Sequence, residues 1–360
     1  MENHIKEQLF ERNGKIIEIV IERVKRDCPD AVALIGVCGS FYTGQFYEKS
    51  DLDLLIVIND EKAWKIASCF IMEDIGYDIY CSRWEKLERM ASYEHAFVSH
   101  VIDVDIVYCA AAEYKERFEK LKQQALAVLK APLTPEIYDK AGSQLQEAML
   151  EYAKLMLADE MSQCRYYSAT ILDCVKQVIC LLNHSYFRFG VKEHLYEILE
   201  MEKVPDNFER HFNDLINAPS IQAIKAAATD MIKSVRQLHI DVGKTFKDQP
   251  PIPTADALTG TYEEVYSNWR NKVYSAAKRN DVHLSLMTAM CCQQFYNEMH
   301  EEYGTAAINL IKAFDPRNLE EFAQAFDRMM DVYANEYVKV HKPIKYYSSL
   351  KDFEKDYLSL

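Results

Sequence analysis

Residues 34–58 read LIGVCGSFYTGQFYEKSDLDLLIVI, two apolar runs around a short polar insert. The first run, residues 31–38, carries small and branched apolar side chains throughout, the pattern of a strand covered on both faces. The second, residues 51–58, is again a strand pattern but opens on two aspartates. Alternate strand residues project to one face, so Asp51 and Asp53 share a face with side chains roughly 6–7 Å apart at the base. Two carboxylates that close repel unless a positive charge neutralises them. A hard cation with oxygen ligands does so, and Mg²⁺ also keeps positions open for substrate phosphates. Two such ions clamp the attacking and leaving oxygens of an in-line phosphoryl displacement. Between the runs, Gly39 lets the backbone approach a phosphate closely, and Ser40 offers a hydroxyl and an N–H at the start of the next helix. A lone Asp-x-Asp is more often an exposed strand edge, and a lone Gly-Ser is more often a turn. Strand, Gly-Ser, ten residues, Asp-Leu-Asp and a second strand together point to a site.

On either side of this stretch, strand and helix patterns alternate. Residues 1–26 predict an amphipathic helix, with Ile5, Leu9, Ile16, Ile17, Val20 and Val24 at helical spacing. Residues 61–73 read as a helix, 77–81 as a strand, 84–93 as a helix, 101–109 as a strand and 112–129 as a helix. That alternation predicts an α/β (α+β) fold with a mixed sheet, followed by all-helical domains. Pro132 and Pro135 punctuate the chain, and beyond them the strand patterns vanish. Residues 136–246 read as all helix. Pro250, Pro251 and Pro253 mark a stiff extended linker over 247–260. The segment 261–360 is again helical, with Asn318 and Glu321 spaced as a capping box. The expected domains are 1–131, the catalytic part; 136–246, a helical substrate-binding part; and 261–360, a C-terminal extension.

Composition narrows the class. Of 360 residues, 49% are hydrophobic and 27% charged, which is globular rather than disordered. No apolar run reaches the roughly 18–20 residues a bilayer requires. The first residues lack the apolar core of a secretory signal; a cytoplasmic protein is expected. Ten cysteines, none in a C-x-x-C pair, read as reduced and mostly buried thiols. A net charge of −14 repels polyanions, so nucleic acid is an unlikely partner, whereas a cationic small molecule would be attracted.

The stretch GSFYTGQFYEKSDLDLLIV resembles the signature of the polymerase-β-like nucleotidyltransferase superfamily, h-G-S-x(9–13)-D-h-[DE]-h. The order of elements looks most like the aminoglycoside (kanamycin-type) nucleotidyltransferases, loosely over residues 1–245. The resemblance implies transfer of a nucleoside monophosphate from a nucleoside triphosphate, ATP by expectation, to a hydroxyl of a small molecule such as an aminoglycoside-like antibiotic. It implies Mg²⁺ held by Asp51, Asp53 and a third carboxylate on the next strand. Asp78, in GYDIYCSRWEKLERMA, matches that place; Asp103 and Asp105, in DVDIVY, are rivals whose alternative reading is a strand-end pair exposed to water. Gly39 and Ser40 would contact phosphate.

Kanamycin-type enzymes also carry E-x-x-x-E-Y on the helix opening the helical domain, and Glu147, Glu151 and Tyr152 match it. By resemblance Glu151 is the general base on the acceptor hydroxyl, a role worth roughly 10²–10⁴-fold. The alternative is a solvated helix face on which Glu147, Glu151 and Lys154 form an ion pair. Leu145, Ala148, Met149, Tyr152, Leu155 and Met156 would form the apolar stripe of that helix. Two departures stand out. The family's phosphate-binding lysine lies four residues after the base, where this chain has Leu155, and Lys154 is the nearby candidate. The family's arginine three residues after the serine is Thr43 here. The segment around 181–212 looks like the family's later helices, and from it Arg188 and Lys192 could reach a nucleotide or be surface charges. The resemblance further implies a homodimer whose partner's helical domain completes the site.

His95 and His100, five apart, do not share a helical face, which argues against a zinc pair. Tyr262, Tyr266, Trp269 and Tyr274 recur at helical spacing and are expected to pack in a core. Two other functions stay open: a nucleotidyltransferase modifying a protein or RNA, as in toxin–antitoxin pairs, and a catalytically weak scaffold that senses nucleotide.

Overall fold

The structure, a computed structural model, describes residues 2–45, 47–246 and 251–359, with side chains from Glu7 onward. The side chain of Ile5 and linker residues 247–250, Pro250 among them, lie outside the described residues. The chain divides into two compact units, Met1–Phe246 and Lys247–Leu360.

The first unit opens with α1 (Glu2–Asp27), β1 (Val32–Val37), α2 (Gly39–Thr43) and β2 (Leu54–Ile58). A hairpin of β3 (Ser68–Met72) and β4 (Ile75–Ile79) follows. Then come β5 (Cys81–Arg83), α3 (Trp84–Ala91), α4 (Ser99–Ile102), β6 (Asp105–Cys109) and α5 (Ala112–Lys130). The main sheet has the order β5-β2-β1-β6. It is mixed: β1 is antiparallel to both β2 and β6, and β5 is parallel to β2. Helices α6 (Pro135–Leu157), α7 (Met161–Leu182), α8 (His194–Leu199), α9 (Phe208–Asn217) and α10 (Ile221–Gly243) complete the unit. An α/β domain with a mixed sheet followed by helices is the architecture the alternation predicts.

Every residue of β1 and β2 is buried because both faces of the sheet are covered. Along β2 the side chains alternate strictly. Leu52, Leu54, Ile56 and Ile58 enter a core with Leu9, Ile16, Val20 and Val24 of α1 and with Ile75, Tyr77 and Ile79 of the hairpin. Leu55 and Val57 enter the other core, shared with α3, α5 and the helices from α6 onward. That second core is continuous across Pro132 and Pro135. Pro135 does not break a helix but starts one: it is the first residue of α6, and the Ile137 N–H donates to the Thr134 hydroxyl at 3.4 Å.

Four predicted elements differ. Only residues 61–66 of the expected helix 61–73 are helical, as a 3₁₀ segment; residues 68–72 form β3. The turn that makes this hairpin is Glu73-Asp74, both at positive φ (52° and 59°), the conformation favoured in two-residue hairpin loops but without the Asn-Gly signal that advertises it. The expected strand 77–81 is two strands, since the chain leaves the hairpin at Ile79 and joins the main sheet at Cys81. The expected strand 101–109 starts as the helical turn α4, and only Asp105–Cys109 is strand. The β2 ladder starts at Leu54 rather than at Asp51.

The second unit contains α11 (Thr261–Val265), a π-helical turn over Tyr266–Arg270, α12 (Asn271–Arg279), α13 (Val282–Tyr303), α14 (Leu319–Lys339) and α15 (Leu350–Tyr357). Its core gathers Tyr296, Phe322, Phe326, Tyr333 and Tyr337. Part of the expected linker belongs to it: Leu258 is fully buried and its carbonyl accepts from the Tyr337 hydroxyl. Of the aromatic series, Tyr262 and Trp269 pack against this core. Tyr266 and Tyr274 do not; both rings flank the Arg270 guanidinium at 4.7 Å, and Asp327 binds it through two hydrogen bonds. At the start of α14 the Glu321 N–H donates to the Asn318 side chain at 3.1 Å. Among the described residues no helix is long and apolar enough to cross a membrane.

Candidate active site

The glycine-serine bend and the aspartate pair are built as one piece. Gly39 adopts φ +65°, a left-handed conformation open to glycine at no steric cost, and turns the chain from β1 into α2. The Cys38 N–H donates to the Asp53 carbonyl at 3.1 Å, which extends β1 alongside the aspartates before the ladder proper begins. Leu52, between the two aspartates, is buried in the core on the α1 side. Asp51 and Asp53 therefore face the other way, with the parity of Leu55 and Val57. The preceding loop is closed by Tyr47 and Ser50: each backbone N–H finds the other residue, at 2.9 Å in both cases.

The Asp53 carboxylate lies over Gly39 and accepts the Ser40 N–H. Burial, and next the charge of Asp51, push its carboxyl above the usual range; the Ser40 N–H acts in the opposite sense. A carboxylate held against burial and a like charge is one whose ionised form a divalent cation would stabilise.

Asp51 and Asp53 line a cavity of about 290 Å³ together with Asp78, Tyr80, Lys86 and His100. Asp78 comes to this cavity from the end of the hairpin, just before the chain joins the main sheet at Cys81. In the parallel β2/β5 pair, Ile56 faces Cys81 and Val57 faces Ser82. Asp78 precedes that pairing, on β4, where it faces Cys69 across the hairpin. Asp78 Oδ1 accepts from the Cys69 thiol at 3.2 Å. Among the described residues no three His, Cys, Asp or Glu side chains stand close enough to hold a metal ion as they are. The three aspartates thus share a cavity roomy enough for a cation without forming a closed ligand set. Their oxygen-only chemistry fits Mg²⁺.

The rivals to Asp78 are placed differently. Asp105 lies opposite Val37 at the far side of β1, exposed, and lines neither this cavity nor the next. Asp103 is not exposed to water as its alternative reading expected. It is 7% exposed; it accepts from the Tyr186 hydroxyl and stands 3.8 Å from Arg188 Nε, and burial raises its carboxyl.

A second cavity, of about 450 Å³, shares Asp51, Asp53 and His100 with the first. Gly39, Ser40 and Thr43 line it from the sheet side; Phe187, Arg188, Phe189 and Lys192 line it from the segment between α7 and α8. That volume lies within the roughly 300–1,000 Å³ of small-molecule sites. The spacing of His95 and His100 speaks only against a zinc pair and does not reveal that His100 lines both cavities. Its ring opens into the cleft where the cavities meet, and its pKa is lowered by burial and then by Lys86. No sequence signal marked it, since α4 is a four-residue turn within what reads as a strand.

Glu151 and Lys154 are not brought to this cleft. Glu151 sits on the buried stripe of α6 with Leu145, Ala148 and Leu155, not on a solvated face, and is 5% exposed. Lys154 Nζ pairs with its carboxylate. Met149 and Met156, assigned to the apolar stripe, are in part exposed instead. Neither Glu151 nor Lys154 lines either cavity.

No match is found among curated proteins. The bend, the three aspartates and His100 all fall within residues 15–126, which match the family described as nucleotidyltransferase domain; the chain carries a nucleotidyltransferase domain of the polymerase-β-like superfamily, with helices after it.

Proposed function

We propose that the protein is a Mg²⁺-dependent enzyme moving a nucleoside monophosphate from a nucleoside triphosphate, ATP by preference, to a hydroxyl of a cationic small molecule such as an aminoglycoside-like antibiotic. The observation that carries this reading is the set Asp51, Asp53 and Asp78 in one cavity, opening into a larger cleft beside Gly39 and Ser40. Asp51, Asp53 and Asp78 would hold the metal, which when bound supplies charge neutralisation for the phosphates. Gly39 leaves room for the Asp53 carboxylate, and the Ser40 hydroxyl lines the path of the phosphate chain. The net charge of −14 favours a cationic acceptor over nucleic acid.

Glu151 can act as the base on the acceptor only if a second copy of the chain brings its α6 to the cleft and its carboxylate, buried and paired with Lys154, is uncovered there. The surface around it supports such a pairing. Leu150, Lys154 and Leu157 lie on one helical face, and Leu157 is 87% exposed, with Met161 and Tyr166 exposed on the start of α7.

The direct test is incubation with labelled ATP, GTP, CTP and UTP and Mg²⁺ against aminoglycosides, lincosamides and cell extract. Transfer of label to a small molecule with loss of pyrophosphate supports the reading. Nucleotide binding without transfer to any acceptor would overturn it in favour of a sensing scaffold.

A further inference from the structure

The larger cavity carries lysine or arginine on one wall alone. Among its described lining residues these are Arg188 and Lys192, both from the segment between α7 and α8, while the facing wall offers Gly39, Ser40, Thr43 and the two aspartates. His194, also in the lining, is held neutral near pH 7: burial, then the charge of Lys176, lowers its pKa to about 4. A phosphate chain running from the aspartates past Ser40 would meet no described lysine or arginine on the sheet side of this cavity; Lys86 lines only the smaller one.

We infer that Arg188 and Lys192 grip the phosphate chain of the nucleoside triphosphate, closing the cleft from the side opposite Ser40. This assignment rests on the nucleotidyl-transfer reading. The segment bearing both side chains is fixed rather than loose. The Arg188 and Phe189 N–H groups donate to the two oxygens of Glu197, at 2.8 and 3.3 Å. Phe187, 2% exposed, stacks on His194 with ring centroids 4.1 Å apart. Such anchoring lowers the ordering cost of binding.

Both cations reach toward the sheet side without being used up there. Lys192 Nζ donates to the Gln45 carbonyl at a long 3.5 Å and lies 5.8 Å from the Tyr47 ring centroid. Arg188 stands 3.8 Å from Asp103 and its side chain is 53% exposed. A guanidinium has five N–H donors, so an ion pair on one edge leaves a fork free for a phosphate. Asp103, buried and outside the lining of the cavity, pairs with the Nε edge of that guanidinium.

The experiment measures binding of a non-transferable α,β-methylene triphosphate analogue and of the nucleoside monophosphate, each with Mg²⁺, to wild type, Arg188→Ala, Lys192→Ala, Arg188→Lys and Lys192→Arg. Each alanine variant should weaken triphosphate binding about tenfold while monophosphate binding moves less than about twofold, and the charge-keeping variants should recover part of the loss. Melting temperatures close to wild type confirm that the variants fold; Lys192→Ala, at an exposed side chain, stands as the test should Arg188→Ala fail to. Triphosphate binding unchanged, or lost equally for monophosphate, overturns the assignment and leaves the proposed reaction standing. Wild-type protein that binds no triphosphate at all would instead overturn the reaction, and this assignment with it.

Discussion

The Asp53 carboxylate occupies the space a side chain on Gly39 would need: a Cβ built there falls within 2.6 Å of Asp53 Cγ. Glycine at 39 thus serves two ends, the left-handed turn into α2 and the seat of the Asp53 carboxylate. Gly39→Ala should push Asp53 from its place and add a left-handed backbone strain of about 1–2 kcal/mol. A displacement of about 1 Å can cost about 100-fold in rate, so nucleotidyl transfer should fall by that order while the melting temperature drops by only a few degrees. Transfer within a factor of a few of wild type would show that the observed position of Asp53 is not the working one.

Asp51→Asn and Asp53→Asn should abolish transfer without loss of stability. Burial and the neighbouring Asp51 charge raise the Asp53 carboxyl, so the ionised pair is held at a cost, and an amide removes it. The melting temperature should stay level or rise. Mg²⁺ should raise it further in wild type, because a ligand that binds the folded state stabilises it, and leave the two variants unmoved. A Mg²⁺ response in both variants equal to that of wild type would place the ion elsewhere.

Much of this architecture is legible in the sequence because the motif and the sheet obey one rule. Strand alternation around Leu52 puts Asp51 and Asp53 on one face, and the apolar runs 31–38 and 51–58 mark the two central strands. What is not legible is what depends on contacts distant in sequence. The β3–β4 hairpin turns on Glu73-Asp74, whose positive φ angles no residue type announces. His100 faces the cleft only because α4 interrupts a strand pattern. The stripe on α6 misleads for the same reason: Glu151, Leu145 and Leu155 are buried together because α7 and α10 pack on that face, whereas composition alone assigns a glutamate to water.

The separate places of Asp78, in the cavity, and Asp105, outside it, make a sharp comparison available. Asp78→Asn should lower turnover strongly, at least tenfold, since it removes a candidate metal ligand from the cavity that Asp53 lines. Asp105→Asn, exposed and across β1, should change turnover by less than about twofold. Steady-state rates at saturating triphosphate and Mg²⁺ decide the matter. The reverse ranking would move the third carboxylate to β6.

His194 should make the cleft acid-sensitive. It is 4% exposed, faces Lys176 Nζ at 3.4 Å from its Nδ1, and has its pKa lowered from 6.5 to about 4. Between those values the unfolded chain binds a proton that the folded one refuses. Stability is therefore fully present above pH 6.5 and lost as pH falls toward 4, by up to about 3 kcal/mol over the whole window. Urea melts of wild type and His194→Phe between pH 7 and 5 test this. The variant should show a shallower loss on acidification, whatever its absolute stability. Identical slopes would mean that the ring titrates normally in the folded protein.

Glu151 and Asp53 can be tested as residues of one site contributed by two chains. If the base comes from a second copy, Glu151→Gln should cost at least about tenfold in turnover, the lower part of the general-base range, and Asp53→Asn should abolish it. A mixed dimer of the two variants then contains one intact site, formed by the aspartates of one chain and the glutamate of the other. Random exchange makes about half the dimers mixed, each with one working site of two, so equal mixing after reversible dissociation should restore up to about a quarter of wild-type activity. Two separately weak variants that remain weak when mixed, in protein shown to be dimeric, would confine Glu151 to its ion pair with Lys154 and leave the acceptor's proton to a group inside the cleft.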